Sequence, residues 1–162
     1  MIDKMKHKLK LTPLHCMFFI YKTFADSSKD KLDVNIQKLI TEFMFRWLKQ
    51  DKEKTVTIIN ETLNWTKENI QNLDAQLESM VSMTQFLNTQ KDLTILRKEF
   101  FLMDIRQIAR LNKDFSEDEK KIHDMLADIL GVGIRISQKS YDEIKGSVER
   151  VKKRKIGFRR DD

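Results

Sequence analysis

The sequence predicts an all-α protein, and three observations carry that expectation. Apolar residues recur at spacings of three and four along nearly the whole chain. Helix-start signals precede several of those segments. The 162 residues include one proline and four glycines, too few turn formers for the frequent reversals of a β-sandwich or a doubly wound sheet. The one strand-like run, TVTII, is too short to weigh against this. The length suits a single domain. We read a basic N-terminal tail (1–11), one helical domain (12–151) and a basic C-terminal tail (152–162).

The first helix opens at Thr12-Pro13, a capping hydroxyl followed by a residue whose missing N–H costs nothing there. The segment after it, LHCMFFIYKTFA, is apolar nearly all round, which predicts a helix at the centre of the core. The polar stretch ADSSKDKLD ends it and offers Asp33 as the next N-cap. Helix 33–49 carries Val34, Ile36, Leu39, Ile40, Phe43, Met44, Trp47 and Leu48 as a wide stripe. A shorter amphipathic piece spans 51–62, with Val56, Ile58 and Ile59 and with Leu63 just beyond it. A further helix is expected over 66–88, ending at the break Thr89 to Asp92.

Helix 92–111 is strongly apolar, around Ile95, Leu96, Phe100, Phe101, Met103, Ile105, Ile108 and Ala109. After a loop at Asn112 to Phe115, Ser116 and Glu119 form a capping box opening helix 116–130, and Gly131 supplies a left-handed stop. Ser140 with Glu143 is a second capping box, opening a last helix through Ile144, Val148 and Val151. Met44, Met80, Met103 and Met125 fall on helical stripes and read as core filling. Trp47 and Trp65 fit core or interface equally. An apolar helix, an acidic loop, a cap and an amphipathic helix occur at 14–48 and again at 95–130, which suggests a duplicated helical hairpin.

The net charge of +6 resides at the two ends. Lys4, Lys6, Lys8 and Lys10 face Asp3 alone in the first ten residues. The C-terminal tail holds Lys152, Lys153, Arg154, Lys155, Arg159 and Arg160 against Asp161 and Asp162. The body between them is close to neutral, unlike a domain built around a nucleic-acid surface. The single Cys16 excludes an intrachain disulfide framework and a cysteine-based zinc module. No run approaches the ~20 apolar residues that span a bilayer. His15 breaks the apolar stretch Leu14 to Ile20, Lys22 comes soon after it, and no small-residue cleavage site follows. A cytoplasmic location is the expectation.

The stretch FFLMDIRQIARLNKDFSEDEKKIHDMLADILGV resembles the second signature of the TerB-like tellurite-resistance family. Ile108-Ala109, Ser116, Glu119 and Leu130-Gly131 match that pattern, while Asn112-Lys113 stands where the family has Asp-Gly. In the first signature Asp26 or Asp30 takes the place of the Asp, Leu32-Asp33 matches, and Ile36 falls where Glu is usual. The resemblance covers roughly residues 12–135. It implies a compact bundle of about seven helices built from two pseudo-repeated hairpins. It also implies a non-enzymatic interaction or scaffold role in bacterial stress response, with a protein partner. Some family members carry acidic loops associated with a divalent cation.

The candidate ligands for such a cation, calcium or magnesium, are Asp26, Asp30 and Asp33 in one loop and Asn112, Asp114 and Glu119 at the other. Neither loop is an EF-hand: Lys31 stands at the glycine position of the first, and Gln37 and His123 stand where the terminal glutamates belong. The bland alternative is that Asp33, Ser116 and Glu119 only cap helices. His15 and Cys16 are neighbours that point about 100° apart on a helix, so they make no catalytic pair. His123 reads as a boundary side chain. The tail KKRKIGFRR could bind an anionic membrane surface or nucleic acid, or simply complement a helix C-terminus.

Overall fold

The computed structural model describes residues 10–27, 34–111 and 116–133. Among them are six helices and no strand: α1 (Pro13–Asp26), α2 (Val34–Trp47), α3 (Lys52–Asn69), α4 (Leu73–Asn88), α5 (Ile95–Leu111) and α6 (Glu117–Ile129). They form a compact all-α bundle. The last expected helix, the C-terminal tail and residues 1–9 of the N-terminal tail lie outside the described residues, as do Asp33 and the loop 112–115.

The central place expected for α1 is what the structure shows. Ten of its fourteen residues are buried, and α2, α3, α4 and α5 all pack against it. Thr12 caps it as expected, with Pro13 in the first turn. His15 closes the box by accepting the Thr12 amide on Nδ1 at 3.0 Å. The core continues through Ile36, Ile40, Phe43 and Met44 of α2, Met80 and Leu87 of α4, and Phe101, Leu102, Ile105 and Ile108 of α5. Both tryptophans pack on it. Trp65 meets Phe19 edge to face, with ring centroids 5.9 Å apart.

The expected boundary between the third and fourth helices is corrected. A single helix runs from Lys52 to Asn69, and the break falls at 70–72 rather than between 62 and 66. Nothing in Leu63–Asn69 interrupts a helix, whereas Asn72 accepts the Ala75 amide at 2.8 Å and starts α4. Helix α5 likewise starts at Ile95 instead of 92. Buried Leu93 closes the preceding turn, and the Thr94 hydroxyl accepts the Arg97 amide.

Helices α2 and α6 end in the same way. Gln50 N–H donates to Phe45 C=O at 2.8 Å, and Val132 N–H donates to Ala127 C=O at 2.9 Å, the six-to-one bond of a Schellman stop. Both stops need a left-handed residue. Gly131 fills that place at the end of α6 with φ 73°, but α2 uses Lys49 at φ 57°, followed by Gln50 at φ 65°. Left-handed backbone costs a residue with a Cβ roughly 1 kcal/mol or more. Lys49→Gly should therefore raise stability by about 0.5–1 kcal/mol, and Gly131→Ala should lower it by about 1 kcal/mol. A Cβ at Gly131 would meet nothing within 4 Å, so the second effect is backbone strain alone. Urea unfolding of the two variants measures both.

Candidate functional site

The most elaborate polar arrangement lies inside the bundle. Phe101, Ile105 and Ile108 set the buried side of α5, and helical spacing puts Asp104 there too, 3% exposed. Its Oδ2 accepts from the Tyr21 hydroxyl of α1 at 2.6 Å and from Arg46 Nη2 of α2 at 2.6 Å. Trp47 Nε1–H donates to the Tyr21 oxygen at 2.7 Å and reaches Asp104 at 3.3 Å. Tyr21 is gripped between Phe43 and Phe101, with centroids at 5.4 and 4.9 Å. The Arg46 guanidinium lies over Phe43 and Trp47. Burial pushes the Asp104 carboxyl above its ordinary value, against the opposing pull of the Tyr21 hydrogen bond and the Arg46 charge. Tyr21 is raised well above 10, first by burial and then by the Asp104 charge.

Sequence reasoning missed this cluster. Its signal was a single acidic residue in the apolar run FFLMDIRQI, at a spacing from Phe101, Ile105 and Ile108 that places it indoors. The structure also corrects His123, which is fully buried rather than at the boundary. Arg106 Nε–H donates to His123 Nε2 at 3.0 Å, so the ring proton resides on Nδ1, 3.1 Å from Asp124 Oδ1. This contact ties α6 to α5. His15 uses its other nitrogen as well: Nε2 lies 2.9 Å from Glu61 Oε1 of α3, turned to fastening rather than to Cys16. Burial raises the Cys16 thiol to about 11.

Of the six candidate cation ligands, Asp30, Asp33, Asn112 and Asp114 lie outside the described residues. Asp26 is engaged by Lys22 at 2.7 Å and by Gln76 of α4 at 3.0 Å. Glu119 accepts the Ser116 amide on Oε1 at 2.9 Å, completing the expected capping box, while its buried Oε2 has no hydrogen-bond partner. Among the described residues no three His, Cys, Asp or Glu side chains converge as around a metal ion. One spare carboxylate oxygen falls short of the six or more that a hard cation takes. The six basic residues of the tail, Lys152 to Arg160, are also outside the described residues.

The surface tells more. Met103, expected as core filling, stands out in solvent on α5, as do Ile95, Leu96 and Phe100. Leu96, Phe100, Met103 and Leu111 share one side of that helix and are 61%, 47%, 45% and 42% exposed. Helical spacing explains it, because these positions point away from Phe101, Ile105 and Ile108. Other exposed apolar residues are scattered one or two to a helix, as on α2 (Val34) and α4 (Leu73, Phe86). Two open grooves, of about 220 and 250 Å³, flank α1, one beside Phe18 and Ile40 and one beside Met17 and Trp47. Neither joins a nucleophile to a base.

The fold and these features define a class: an all-α bundle wrapped round one buried helix, with a polar junction inside and an apolar stripe outside. No protein family, curated protein or solved structure matches the chain. No helix among the described residues is long and apolar enough to cross a membrane.

Two expectations follow from the interior. Asp104→Ala strands the Arg46 charge and removes an acceptor from Tyr21, and should cost about 3 kcal/mol. The half-exposed Arg46 holds the figure below that of a fully buried pair. Asp104→Asn keeps the shape and should cost less. Because the folded carboxyl is raised, its contribution is fullest below the ordinary carboxylate range and declines as pH rises through the folded value. Unfolding curves of the wild type and Asp104→Asn at several pH values should therefore separate in the wild type's favour on acidification. Cys16, 3% exposed, should resist alkylation at neutral pH until the chain unfolds, which timed iodoacetamide labelling in urea would follow.

Proposed function

We propose that the chain is a non-enzymatic helical interaction module of the TerB-like kind, serving a bacterial stress response, and that it engages protein through the outer side of α5. The observation that carries this reading is the stripe Leu96, Phe100, Met103 and Leu111. Isolated exposed apolar residues are ordinary, but a row on one helix face, interrupted by Gln107 alone, marks a contact surface. The interior supports the same reading. Several of its titratable groups join helices: Asp104 bonds Tyr21 and Arg46, His123 bonds Arg106, and His15 bonds Glu61. The stress-response assignment rests on the resemblance of residues 100–132 to the TerB-like signature. A divalent cation would depend on Asp30, Asp33, Asn112 and Asp114.

A photo-crosslinking amino acid at Gln107, exposed within the stripe, tests the interaction reading in living cells, with the exposed Glu42 of α2 as the control position. Discrete protein adducts should form from position 107 and not from 42, and Phe100→Glu should abolish them. Absence of adducts at 107 would sink the reading.

A further inference from the structure

We propose that the occupant of the α5 stripe is a second copy of the same chain, paired antiparallel about a two-fold axis. The inference rests on the interaction-module reading above and names its partner. Leu96, Phe100, Met103 and Gln107 recur at spacings of four, three and four, the seam of a two-helix coil. Laid against itself in the opposite direction, this seam closes in four layers. Leu96 faces Gln107 of the second copy, and Phe100 faces its Met103; the two-fold then repeats both. Phenylalanine against methionine at the centre is a favourable sulfur–aromatic contact. The layers occupy about 17 Å of helix.

The charges choose the second copy over an arbitrary partner. Glu99 and Arg106 border the seam on one side, both half-buried. In antiparallel pairs the residues that flank the seam on equivalent sides meet each other. The register that stacks the apolar layers also sets Glu99 opposite Arg106 of the second copy, twice over. Self-complementarity of this kind is what a two-fold interface demands. Arg106 is held by its Nε bond to His123, with Nη2 buried, which fixes the guanidinium on that flank of α5. Opposed charges flanking a seam also select orientation and register. The two outer layers, Gln107 against Leu96, are polar and keep the pairing reversible.

Sedimentation velocity of the full chain over a wide concentration range reads the result. The expected outcome is a monomer–dimer equilibrium. Met103→Glu and Glu99→Arg should each weaken it about tenfold or more, a tenfold change being 1.4 kcal/mol. Gln107→Leu, which turns the two outer layers apolar, should tighten it by a similar factor. Met103 and Gln107 are exposed and Glu99 is half-buried, and circular dichroism and thermal melts would confirm that the variants fold. Should Met103→Glu misfold, Gln107→Leu carries the test alone. A monomer at every concentration overturns the proposal, as does a dimer indifferent to all three substitutions. If crosslinks from position 107 carry a mass other than two chains, the second copy is ruled out while the interaction reading stands. If no crosslink forms, the interaction reading itself fails.

Discussion

A helix that is apolar on every side must be enclosed on every side, and α1 imposes that requirement on the rest of the fold. Enclosing it takes four helices, α2 to α5. It also draws indoors a hydroxyl, that of Tyr21, which water can no longer satisfy. A buried polar group left alone costs about 1–3 kcal/mol, so the surrounding helices must supply its partners. Asp104 accepts from it and Trp47 donates to it, and Arg46 balances the carboxylate. The result joins residues 83 and 58 positions apart in sequence. Apolar packing alone permits α5 to rotate or slide along α1. A shared carboxylate oxygen with bonds of 2.6 Å from two directions does not.

Smaller versions of the same device recur around α1. Gln76 reaches from α4 to the buried Thr23 hydroxyl and to Asp26, and His15 reaches Glu61 on α3. The buried threonines Thr55, Thr62 and Thr84 turn their hydroxyls back onto carbonyls one helical turn earlier, which lets polar side chains face the core without a partner from another helix. The contacts between helices fix a register that the hydrophobic effect, being non-directional, leaves free.

Features governed by local chemistry were legible in the sequence. Thr12-Pro13, Ser116 with Glu119 and Gly131 each act within a few residues of themselves, and each does in the structure what its type and spacing predict. The central burial of α1 was legible because every side of it is apolar. Features set by distant partners were not. Asp104 has no local mark beyond its apolar neighbours, since Tyr21 and Arg46 belong to other helices. His123 looks like a boundary residue until Arg106 arrives from α5. The α2 stop was hidden because Lys49 takes a conformation that sequence associates with glycine. Periodicity also fails on α5, where apolar residues occupy both sides. Spacing says which residues share a face, but not which face the bundle covers.

That ambiguity is itself informative. One side of α5 is needed for folding: Phe101, Leu102, Ile105 and Ile108 fill the core, and Asp104 locks it. The opposite side contributes nothing to that core, yet it carries Leu96, Phe100, Met103 and Leu111 where lysine or glutamate would serve solubility and helix propensity as well. Among the described residues, folding of the bundle gives no account of a second apolar row. An outer contact does, and it would place the interface on a helix that the Asp104 junction holds in register. A seam on a helix free to rotate would lose its register with each excursion. Asp104 and Arg106 pin opposite flanks of α5, one to α1 and α2 and the other to α6, and leave the row between them facing out. The polar junction that satisfies Tyr21 thereby also makes α5 a rigid edge on which recognition can be built.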